Sequence, residues 1–400
     1  MTESNAHATD SAGIYLDYAA ATPVDPEVVA AMLPYLTDDF YNPSAPYAKA
    51  RRVKADLERA RATLAHLIGA QPANVVLTAG ATEANNLAFS AVSGEVAVSA
   101  IEHASVLACA QAHPSCLTIP VKRDGGVEPA AVASSITPQT ELVSIALANG
   151  EVGTIQPIRK IAQVVRAERA RRLEAGEQRP LWLHTDASQA AGCLSVSVSS
   201  LGADLITLSA AKLYGPKQVG LLWAADGVRL KPLVRGGGQE GGVRSGTENV
   251  AGVVGFARAL ELAAGRRSSE AARLKGLRNR LQQLLTSRFE DAVVFGPSKD
   301  RQRLPGLLAL SFPGLDARRL VILLEQQGVS VGTGSACAAS KMQASPALLA
   351  LGATPEQAAG SLRITLGRPT TGEEVDAAAR AIIRAVEQER ERVSGRGGSD

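Results

Sequence analysis

The chain has 400 residues, of which 46% are hydrophobic and 20% charged, and its net charge at neutral pH is +3. This composition is typical of a globular protein with one large domain and a smaller one. The small net charge and the lack of a basic cluster interleaved with aromatic residues argue against direct nucleic-acid binding. The sequence contains no run of about 20 apolar residues, which a membrane-spanning helix would require.

The four cysteines are irregularly spaced and none belongs to a CxxC pair; they are Cys109, Cys116, Cys193 and Cys337. This spacing argues against a disulfide framework and against a metal site, and it favours a reducing compartment. The first residues, MTESNAHATDSAG, are polar and lack the apolar segment of a signal peptide. We therefore expect a cytoplasmic protein without a bound metal.

Up to about residue 250, short apolar runs alternate with helical patterns. The strand candidates, in chain order, are NVVLTAG, GEVAVSAI, ELVSIALA, LWLHTDA, DLITLSAA and VGLLWA. Helical stretches such as ATEANNLAFSAV separate several of them, which predicts βα units and a largely parallel sheet covered by helices. The segment 166–179 carries eight charged residues, and we interpret it as a solvated helix end and loop.

The pattern changes after about residue 250. A long helical region covers roughly 250–290, and strand candidates follow at LLALSFPG, GVSVGTG and SLRITLG. This order is typical of a smaller α+β domain packed on the first. We predict a large domain at 13–260 and a small domain at 261–393, with the N-terminal segment packed on the small one. The polar ends, 1–12 and 394–400, have the composition of disordered tails.

Ligands of open α/β sheets bind beyond the carboxyl ends of the strands, so the residues that follow each strand are the first candidates for a site. Gly80, Ala81 and Thr82 lie where NVVLT turns into a helix, a place that suits a phosphate group, although a strand–helix turn capped by threonine has the same pattern. In LWLHTDASQ, Asp186 ends a strand and Gln189 follows. The carboxylate is placed either to pair with a cationic ring nitrogen or to cap the next helix.

Three further side chains suit the chemistry of an amino-acid enzyme. Lys212 stands in a small-residue turn after DLITLSAA, where a partly desolvated amine can form a Schiff base with an aldehyde, although most lysines simply lie on the surface. His103, just past GEVAVSA, suits stacking on a planar ligand and proton transfer, or a purely structural role. Arg363, in the apolar run SLRITLGR, suits bidentate binding of a carboxylate or an internal ion pair. Together with the phosphate turn and the acid, these groups are what pyridoxal phosphate and an amino acid require.

Longer motifs connect this set to a known family. TAGATEANN resembles TSGATESNN, HTDASQ resembles HVDAxQ, and LSAAKLYGPK resembles FSGHKIYGPK of the cysteine desulfurases. GGGQEGGVRSGTEN resembles GGGHERGxRSGTxN, and GSACAAS with SLRITLGR resembles the group I pair of a GSAC loop and an SxRxSLGR strand. From YLDYAAATPVDP to ITLGRPTT, the chain resembles the group I cysteine desulfurases, fold-type I pyridoxal-phosphate enzymes of the class V aminotransferase group. The resemblance implies an α/β fold with a mostly parallel seven-stranded sheet and a smaller α+β domain.

The resemblance also implies a role in binding pyridoxal phosphate for each matching residue. Lys212 would hold the cofactor and carry the α-proton of the substrate, Asp186 would keep the ring nitrogen protonated, and Gln189 would bind the phenolic oxygen. His103 would stack on the ring and assist catalysis. The remaining contacts would come from Ala81, Thr82, Ser209, Asn149 and, in a homodimer, the partner subunit's Thr247.

The substrate that the resemblance implies is L-cysteine. Arg363 and Asn149 would bind it, and Cys337 would attack its sulfur, which leaves L-alanine and a persulfide on Cys337. The persulfide would pass to a protein acceptor, a scaffold or a sulfur carrier, in iron–sulfur cluster assembly or another pathway. Such transfer requires a mobile loop, and we interpret the small residues of VGTGSACAASK as a source of that motion.

Four positions depart from the pattern of the family. Ala211 and Gly150 replace a histidine before the lysine and the second asparagine of NNExG, while Gln239 and Tyr47 replace the histidines of GGGHE and NPSSxH. Each lost hydrogen bond costs about 1–3 kcal/mol, so we expect a desulfurase that holds its cofactor less tightly. Two alternatives stay open. One is a class V aminotransferase, or a lyase of another sulfur or selenium amino acid, that does not use Cys337; the other is a degenerate paralogue without activity.

Overall fold

The computed structural model describes residues 13–334 and 345–396. Residues 1–12, 335–344 and 397–400, and with them Cys337, lie outside the described residues. The strands are β1 (Ile14–Tyr15), β2 (Val75–Thr78), β3 (Glu95–Ser99), β4 (Cys116–Ile119), β5 (Thr140–Ser144), β6 (Trp182–Asp186), β7 (Leu205–Ser209), β8 (Gly220–Ala224), β9 (Val293–Phe295), β10 (Leu307–Ser311), β11 (Val329–Ser330) and β12 (Ser361–Thr365).

Helices separate most of these strands. They are α1 (Pro26–Met32), α2 (Pro34–Thr37), α3 (Ala48–Leu67), α4 (Ala81–Phe89), α5 (Ala104–Gln111), α6 (Pro129–Ser135), α7 (Ile158–Glu174), α8 (Val198–Leu201), α9 (Val250–Arg288), α10 (Ala317–Glu325), α11 (Pro346–Ala350), α12 (Pro355–Ala359) and α13 (Gly372–Arg396). Within the part of the chain that the structure describes, every helix is too short or too polar to span a bilayer.

Seven strands form the central sheet, in the order β2-β8-β7-β6-β5-β3-β4. Only β8 runs antiparallel to its neighbours, β2 and β7, and the other pairs are parallel. This confirms the predicted mostly parallel sheet. The sequence does not predict β4, because its four residues, CLTI, form a partly exposed edge strand without a long apolar run.

Helices cover both faces of this sheet, as its alternating side chains require. On β3, Val96 and Val98 pack in one hydrophobic cluster with α4 and α5, while Ala97 belongs to the cluster that contains α3 and α7. Because both faces are covered, the carboxyl ends of the parallel strands are the edge left for a ligand.

A second hydrophobic cluster involves the C-terminal part of the chain and the first strand. It includes the three-stranded antiparallel sheet β12-β10-β9, together with Leu16, while β1 pairs with β11. The predicted boundary after residue 260 falls inside α9. Residues of α9 up to Ala263 belong to the large cluster, and those from Leu274 belong to the second. We propose that the two domains are divided within α9, between these two residues.

Two predictions about polar segments are wrong in part. Residues 394–396 were predicted to belong to a disordered tail, but α13 continues to Arg396, with Glu389 buried in its last turns and paired with Arg392. The charged segment 166–179 is not wholly solvated either, since Arg172 is only 2% exposed. Its guanidinium is buried because it donates to the carbonyl oxygens of Thr137 and Thr140, at 2.8 and 2.9 Å.

Candidate active site

The turn between β2 and α4 presents backbone N–H groups at the carboxyl edge of the sheet. Gly80 has a φ of 100°, a conformation that favours glycine, and α4 begins at the next residue. The N–H groups in the first turn of a helix have no carbonyl partner within the helix, and they suit an anion. Ala81 and Thr82 therefore lie where the sequence predicts, at a helix N-terminus able to bind a phosphate group.

Two carboxylates hold this turn and the strand before it. Glu240 accepts the N–H of Leu77 at 2.9 Å, and Glu83 accepts the N–H of Ala79 at 2.9 Å. Glu240 also pairs with Arg61 through two contacts of 2.7 Å, and both side chains are largely buried. The sequence did not reveal this arrangement, because Arg61 and Glu240 are 179 residues apart.

Asp186 ends β6 at the same edge of the sheet. Its Oδ1 accepts the N–H of Ser188 at 2.9 Å, and its Oδ2 accepts a hydrogen bond from Nδ2 of Asn85 at 2.9 Å. No helix follows Asp186 directly, so its carboxylate caps a turn. Of its two predicted roles, the capping of the next helix is therefore wrong. One carboxylate oxygen of Asp186 is thus held by a backbone N–H group and the other by the side-chain amide of Asn85.

Lys212 and Gln189 meet at the N-terminal segment of the chain. Nζ of Lys212 donates to the carbonyl oxygens of Ala19 and Ala20, at 2.7 and 2.6 Å, and Nε2 of Gln189 donates to Ala19 at 3.0 Å. Burial lowers the pKa of Lys212, and the charge of Arg363 lowers it further, while nearby carboxylates act in the opposite direction. A half-buried amine with a lowered pKa suits the predicted attack on an aldehyde.

Arg363 is 7% exposed and forms an ion pair with Asp17, which the sequence did not single out. Its Nη2 donates to Oδ1 of Asp17 at 2.8 Å, and its Nη1 donates to the carbonyl oxygen of Gly150 at 3.3 Å. Its Nε is buried and has no hydrogen-bond partner among residues 13–334 and 345–396. The second predicted role of Arg363, an internal ion pair, is therefore present, and a buried donor is left for a carboxylate.

Gly332 shows why part of VGTGSACAASK consists of small residues. Its backbone pairs with that of Arg363, with N–O distances of 3.0 and 2.7 Å. A Cβ at position 332 would lie 3.0 Å from Oδ1 of Asp17 and 3.2 Å from Nη2 of Arg363. From the sequence alone, this glycine is interpreted as a source of motion. The structure gives another reason for it, since a glycine leaves room for the Asp17–Arg363 ion pair.

Asn149 serves the backbone. Its Oδ1 accepts the N–H groups of Glu151 and Val152, both at 2.8 Å, and its Nδ2 donates to the carbonyl oxygen of Ile101 at 2.7 Å. The oxygen is therefore fully used, and one amide hydrogen is left for the predicted contacts with cofactor and substrate. Contacts of Asn149 with a ligand stay a prediction.

Gly150 makes room for Gln189. A Cβ at position 150 would lie 3.0 Å from three atoms of the Gln189 side chain. An asparagine, the usual residue of the family at this position, would displace Gln189 from its present place. The glycine at position 150 therefore permits the close approach of the Gln189 side chain.

His103 caps helix α5, where its Nδ1 accepts the N–H of Ser105 at 3.2 Å. Ser209 ends β7 beside the lysine turn and is buried. Thr247 is exposed, and its neighbours Gly246 and Glu248 line a small cavity of about 50 Å³ next to the strand before the phosphate turn. The contacts of Ser209 and Thr247 with a phosphate group stay predictions, and Cys337 lies outside the described residues.

The comparisons with known proteins agree with this geometry. The model of the family described as aminotransferase class-V matches residues 14–378. The chain belongs to the class-V aminotransferase family. It is 40% identical to cysteine desulfurase IscS 1 of Archaeoglobus fulgidus over 373 residues, which cover 90% of this chain and 94% of that protein.

Solved structures of similar proteins share the fold. A NifS-like protein has a TM-score of 0.84 and 31% identity, with 94% of this chain and 99% of the other covered. A structure of SspA in complex with cysteine has a TM-score of 0.73 and 30% identity, with 88% and 98% covered. These structures confirm the predicted class V aminotransferase fold of the PLP fold-type I group.

Pyridoxal phosphate is the cofactor of this class-V enzyme, and the residues of the site fit it. The first turn of α4 offers N–H groups to a phosphate, Lys212 is a half-buried amine with a lowered pKa, and Asp186 stands at the end of the neighbouring strand β6. Arg363 keeps a buried donor for a carboxylate. This donor set matches an anionic, aldehyde-bearing, nitrogen-containing ring and an amino-acid substrate.

The other departures from the family pattern lie around this class-V site. The carbonyl oxygen of Ala211 accepts a hydrogen bond from Thr22 at 3.0 Å, which ties the lysine turn to the N-terminal segment. Gln239 accepts the N–H of Gly246 at 3.1 Å and so closes the glycine-rich loop on itself. Tyr47 is half exposed and packs edge-on against the ring of another tyrosine.

Proposed function

We propose that this chain is a pyridoxal-phosphate-dependent cysteine desulfurase, which converts L-cysteine to L-alanine and leaves a persulfide on Cys337. The observation that carries the proposal is the proximity of a half-buried Lys212, with a lowered pKa, to Arg363, whose Nε has no hydrogen-bond partner among the described residues. The GSAC motif and the similarity to proteins named cysteine desulfurases support the same activity. The intact lysine, acid and arginine favour catalysis over a degenerate paralogue.

Each residue of the proposed site has its own contact with the substrate or the cofactor. Nε of Arg363 binds the substrate carboxylate while Asp17 holds the adjacent Nη2 of the same guanidinium. Nζ of Lys212 would hold the cofactor through its aldehyde and would take the proton from the substrate Cα. Asp186 would hold the proton of the ring nitrogen, and the cofactor, when bound, would supply a sink for electrons released at the substrate carbon.

The sulfur-transfer step belongs to Cys337. Its thiolate forms a bond to the substrate sulfur, and the carbon–sulfur bond of the substrate breaks. The electron pair of that bond goes to the carbon side, which takes up a proton and leaves as alanine. The sulfur stays on Cys337 as a persulfide, so no external oxidant or reductant is needed until the sulfur is passed to an acceptor.

Three further features belong to the same proposal. The enzyme acts as a homodimer in which the partner subunit's Thr247 reaches the phosphate group. A protein takes the sulfur from Cys337, and iron–sulfur cluster assembly is one pathway for it. The cytoplasm is the proposed location, because four irregularly spaced cysteines without a CxxC pair suit a reducing compartment.

Release of alanine from L-cysteine, measured with a thiol reductant present, tests the activity. We expect Cys337→Ser to lose alanine release and to keep the absorbance of the bound cofactor. The matched control is Cys116→Ser, at an exposed cysteine, which should keep both. An aminotransferase that does not use Cys337 would instead convert amino acids equally well with and without this thiol, and that result would remove the proposal.

A further inference from the structure

Four side chains form a continuous line of hydrogen bonds from Asp186 to His103. Oδ2 of Asp186 contacts Nδ2 of Asn85 at 2.9 Å, and the same Nδ2 contacts Oγ of Ser105 at 2.9 Å. Oγ of Ser105 then lies 2.8 Å from Nδ1 of His103. Asn85 is fully buried, Ser105 is half-buried and His103 is exposed, so this line runs from the interior beside β6 to the surface at the start of α5.

Chemistry fixes the direction of each of these hydrogen bonds. A carboxylate only accepts, so Asn85 must turn its amide nitrogen, and not its oxygen, toward Asp186. The second hydrogen on that nitrogen is then donated to Ser105, whose oxygen accepts it. The third direction follows from the backbone N–H of Ser105, which only donates and contacts Nδ1 of His103 at 3.2 Å. Nδ1 is therefore an acceptor, and the hydroxyl of Ser105 donates to it as well. Two donors therefore converge on Nδ1.

We infer that Asn85 and Ser105 are positioning residues that select, for the neutral form of the His103 ring, the tautomer with its proton on Nε2. Because the lone pair of Nδ1 is occupied by two donors, the one ring proton has to be on the other nitrogen. Nε2 has no hydrogen-bond partner among the described residues, so its N–H is available to a ligand.

The tautomer assigns different tasks to His103 and Lys212. This assignment of tasks rests on the proposed function, whereas the tautomer of His103 does not. A neutral imidazole with its proton on Nε2 offers a hydrogen-bond donor at that atom and no basic lone pair there. Removal of the substrate proton is therefore left to Lys212, whose pKa is lowered. His103 orients what it contacts, as a donor.

Nitrogen NMR of the holoenzyme, labelled in its five histidine rings, tests the inference. His103→Gln identifies the resonances of this ring by their loss. In the unmodified chain we expect Nδ1 of His103 to show the shift of an unprotonated nitrogen that accepts hydrogen bonds, and Nε2 that of a protonated one. A ring with its proton on Nδ1, or with both tautomers equally populated, would overturn the inference.

Variants of Ser105 separate positioning from a purely structural role. In Ser105→Ala the backbone donor stays and the hydroxyl is lost, so the tautomer ratio should fall about fivefold, the equivalent of one neutral hydrogen bond of about 1 kcal/mol. Ser105→Thr keeps the hydroxyl and should restore the ratio. Ser134→Ala, at an exposed serine whose hydroxyl donates to a carbonyl oxygen, is the matched control and should leave the spectrum of His103 unchanged.

An unchanged ratio in Ser105→Ala would show that the line through Asn85 does not set the tautomer. Because the spectrum is recorded without turnover, its result is independent of the activity. A chain with the expected tautomer but no alanine release would contradict the proposed function alone. A chain that releases alanine with the other tautomer would contradict this inference alone.

Discussion

Asp17 orients Arg363, the arginine proposed to bind the substrate, close to Lys212. The pair lies beside Lys212, where the charge of Arg363 lowers the pKa of the lysine and that of Asp17 raises it. Asp17 takes one side of the guanidinium, while the buried Nε stays without a partner among the described residues. The arginine is thus oriented before a substrate carboxylate arrives, which reduces the entropy lost on binding.

Asp17→Asn should weaken substrate binding more than it slows the chemistry. Without the carboxylate, Arg363 loses a charge-assisted hydrogen bond of about 1.5 kcal/mol that orients it, so KM for L-cysteine should rise about tenfold with kcat nearly unchanged. The affinity of the holoenzyme for L-alanine, followed by absorbance, should fall in parallel.

Asp38→Asn, at an exposed aspartate, is the control for this experiment and should leave both quantities unchanged. Binding of an amine without a carboxylate should also be the same in Asp17→Asn and the unmodified chain. A variant that lost kcat while it kept its affinity for L-alanine would show that Asp17 acts on the chemistry instead.

At the scale of elements, the edge strand β2 is held by side chains from distant parts of the chain. Glu240 occupies the free N–H of Leu77, and Arg61 of α3 neutralises that carboxylate. Since the phosphate turn directly follows β2, its position depends on these contacts as well as on the sheet. The glycine-rich loop that carries Thr247 is held to the same edge through Glu240.

Glu240→Gln should lower both stability and cofactor retention. The change removes the buried carboxylate partner of Arg61 and leaves only the exposed Glu58, and breaking a largely buried pair in this way costs about 3–5 kcal/mol. We expect a lower Tm and faster loss of cofactor absorbance on dialysis. Glu58→Gln removes the exposed partner of the same arginine and should cost no more than about 1 kcal/mol. Equal effects of the two variants would contradict the role of Glu240.

Glu102, at the junction of β3 and β5, should make stability depend on pH. Burial raises its pKa from 4.5 to about 7, although it accepts hydrogen bonds from Ser99 and the N–H of Ala146. A raised pKa in the folded state means that the contribution to stability is complete below pH 4.5 and is lost as the pH rises through 7.

The Glu102→Gln variant has no ionisable group at this position. Its free energy of unfolding should therefore fall less than that of the unmodified chain as the pH rises from about 5 to about 8. The difference in free energy of unfolding between the two proteins should change by up to about 3 kcal/mol over this range. Urea denaturation at both pH values measures it, with Glu174→Gln as an exposed control. Parallel pH profiles for Glu102→Gln and the unmodified chain would contradict the shift.

For the whole molecule, the sequence predicted what local patterns determine. Six strands of the sheet are apolar runs, and Lys212, Asp186 and the α4 turn follow three of them. The partners of these groups were not predictable, because they come from far along the chain. Asp17 and Arg363 are 346 residues apart. Asn85 and Asp186 are 101 residues apart.

The glycines show the same limit. Gly150 and Gly332 were interpreted from their type alone, as a lost ligand and as a source of motion. At both positions a Cβ atom would lie too close to a neighbouring side chain, Gln189 in one case and the Asp17–Arg363 pair in the other. Only the folded chain brings these neighbours close. A pattern of small residues therefore does not distinguish close packing from motion.

The central claim, sulfur transfer to Cys337, is tested most directly by mass spectrometry of the holoenzyme after brief mixing with L-cysteine. The account predicts one added sulfur atom on the peptide that contains Cys337 for each molecule of alanine released, and none on peptides that contain Cys109, Cys116 or Cys193. Alanine release without a persulfide on Cys337, or a persulfide on another cysteine, would contradict it.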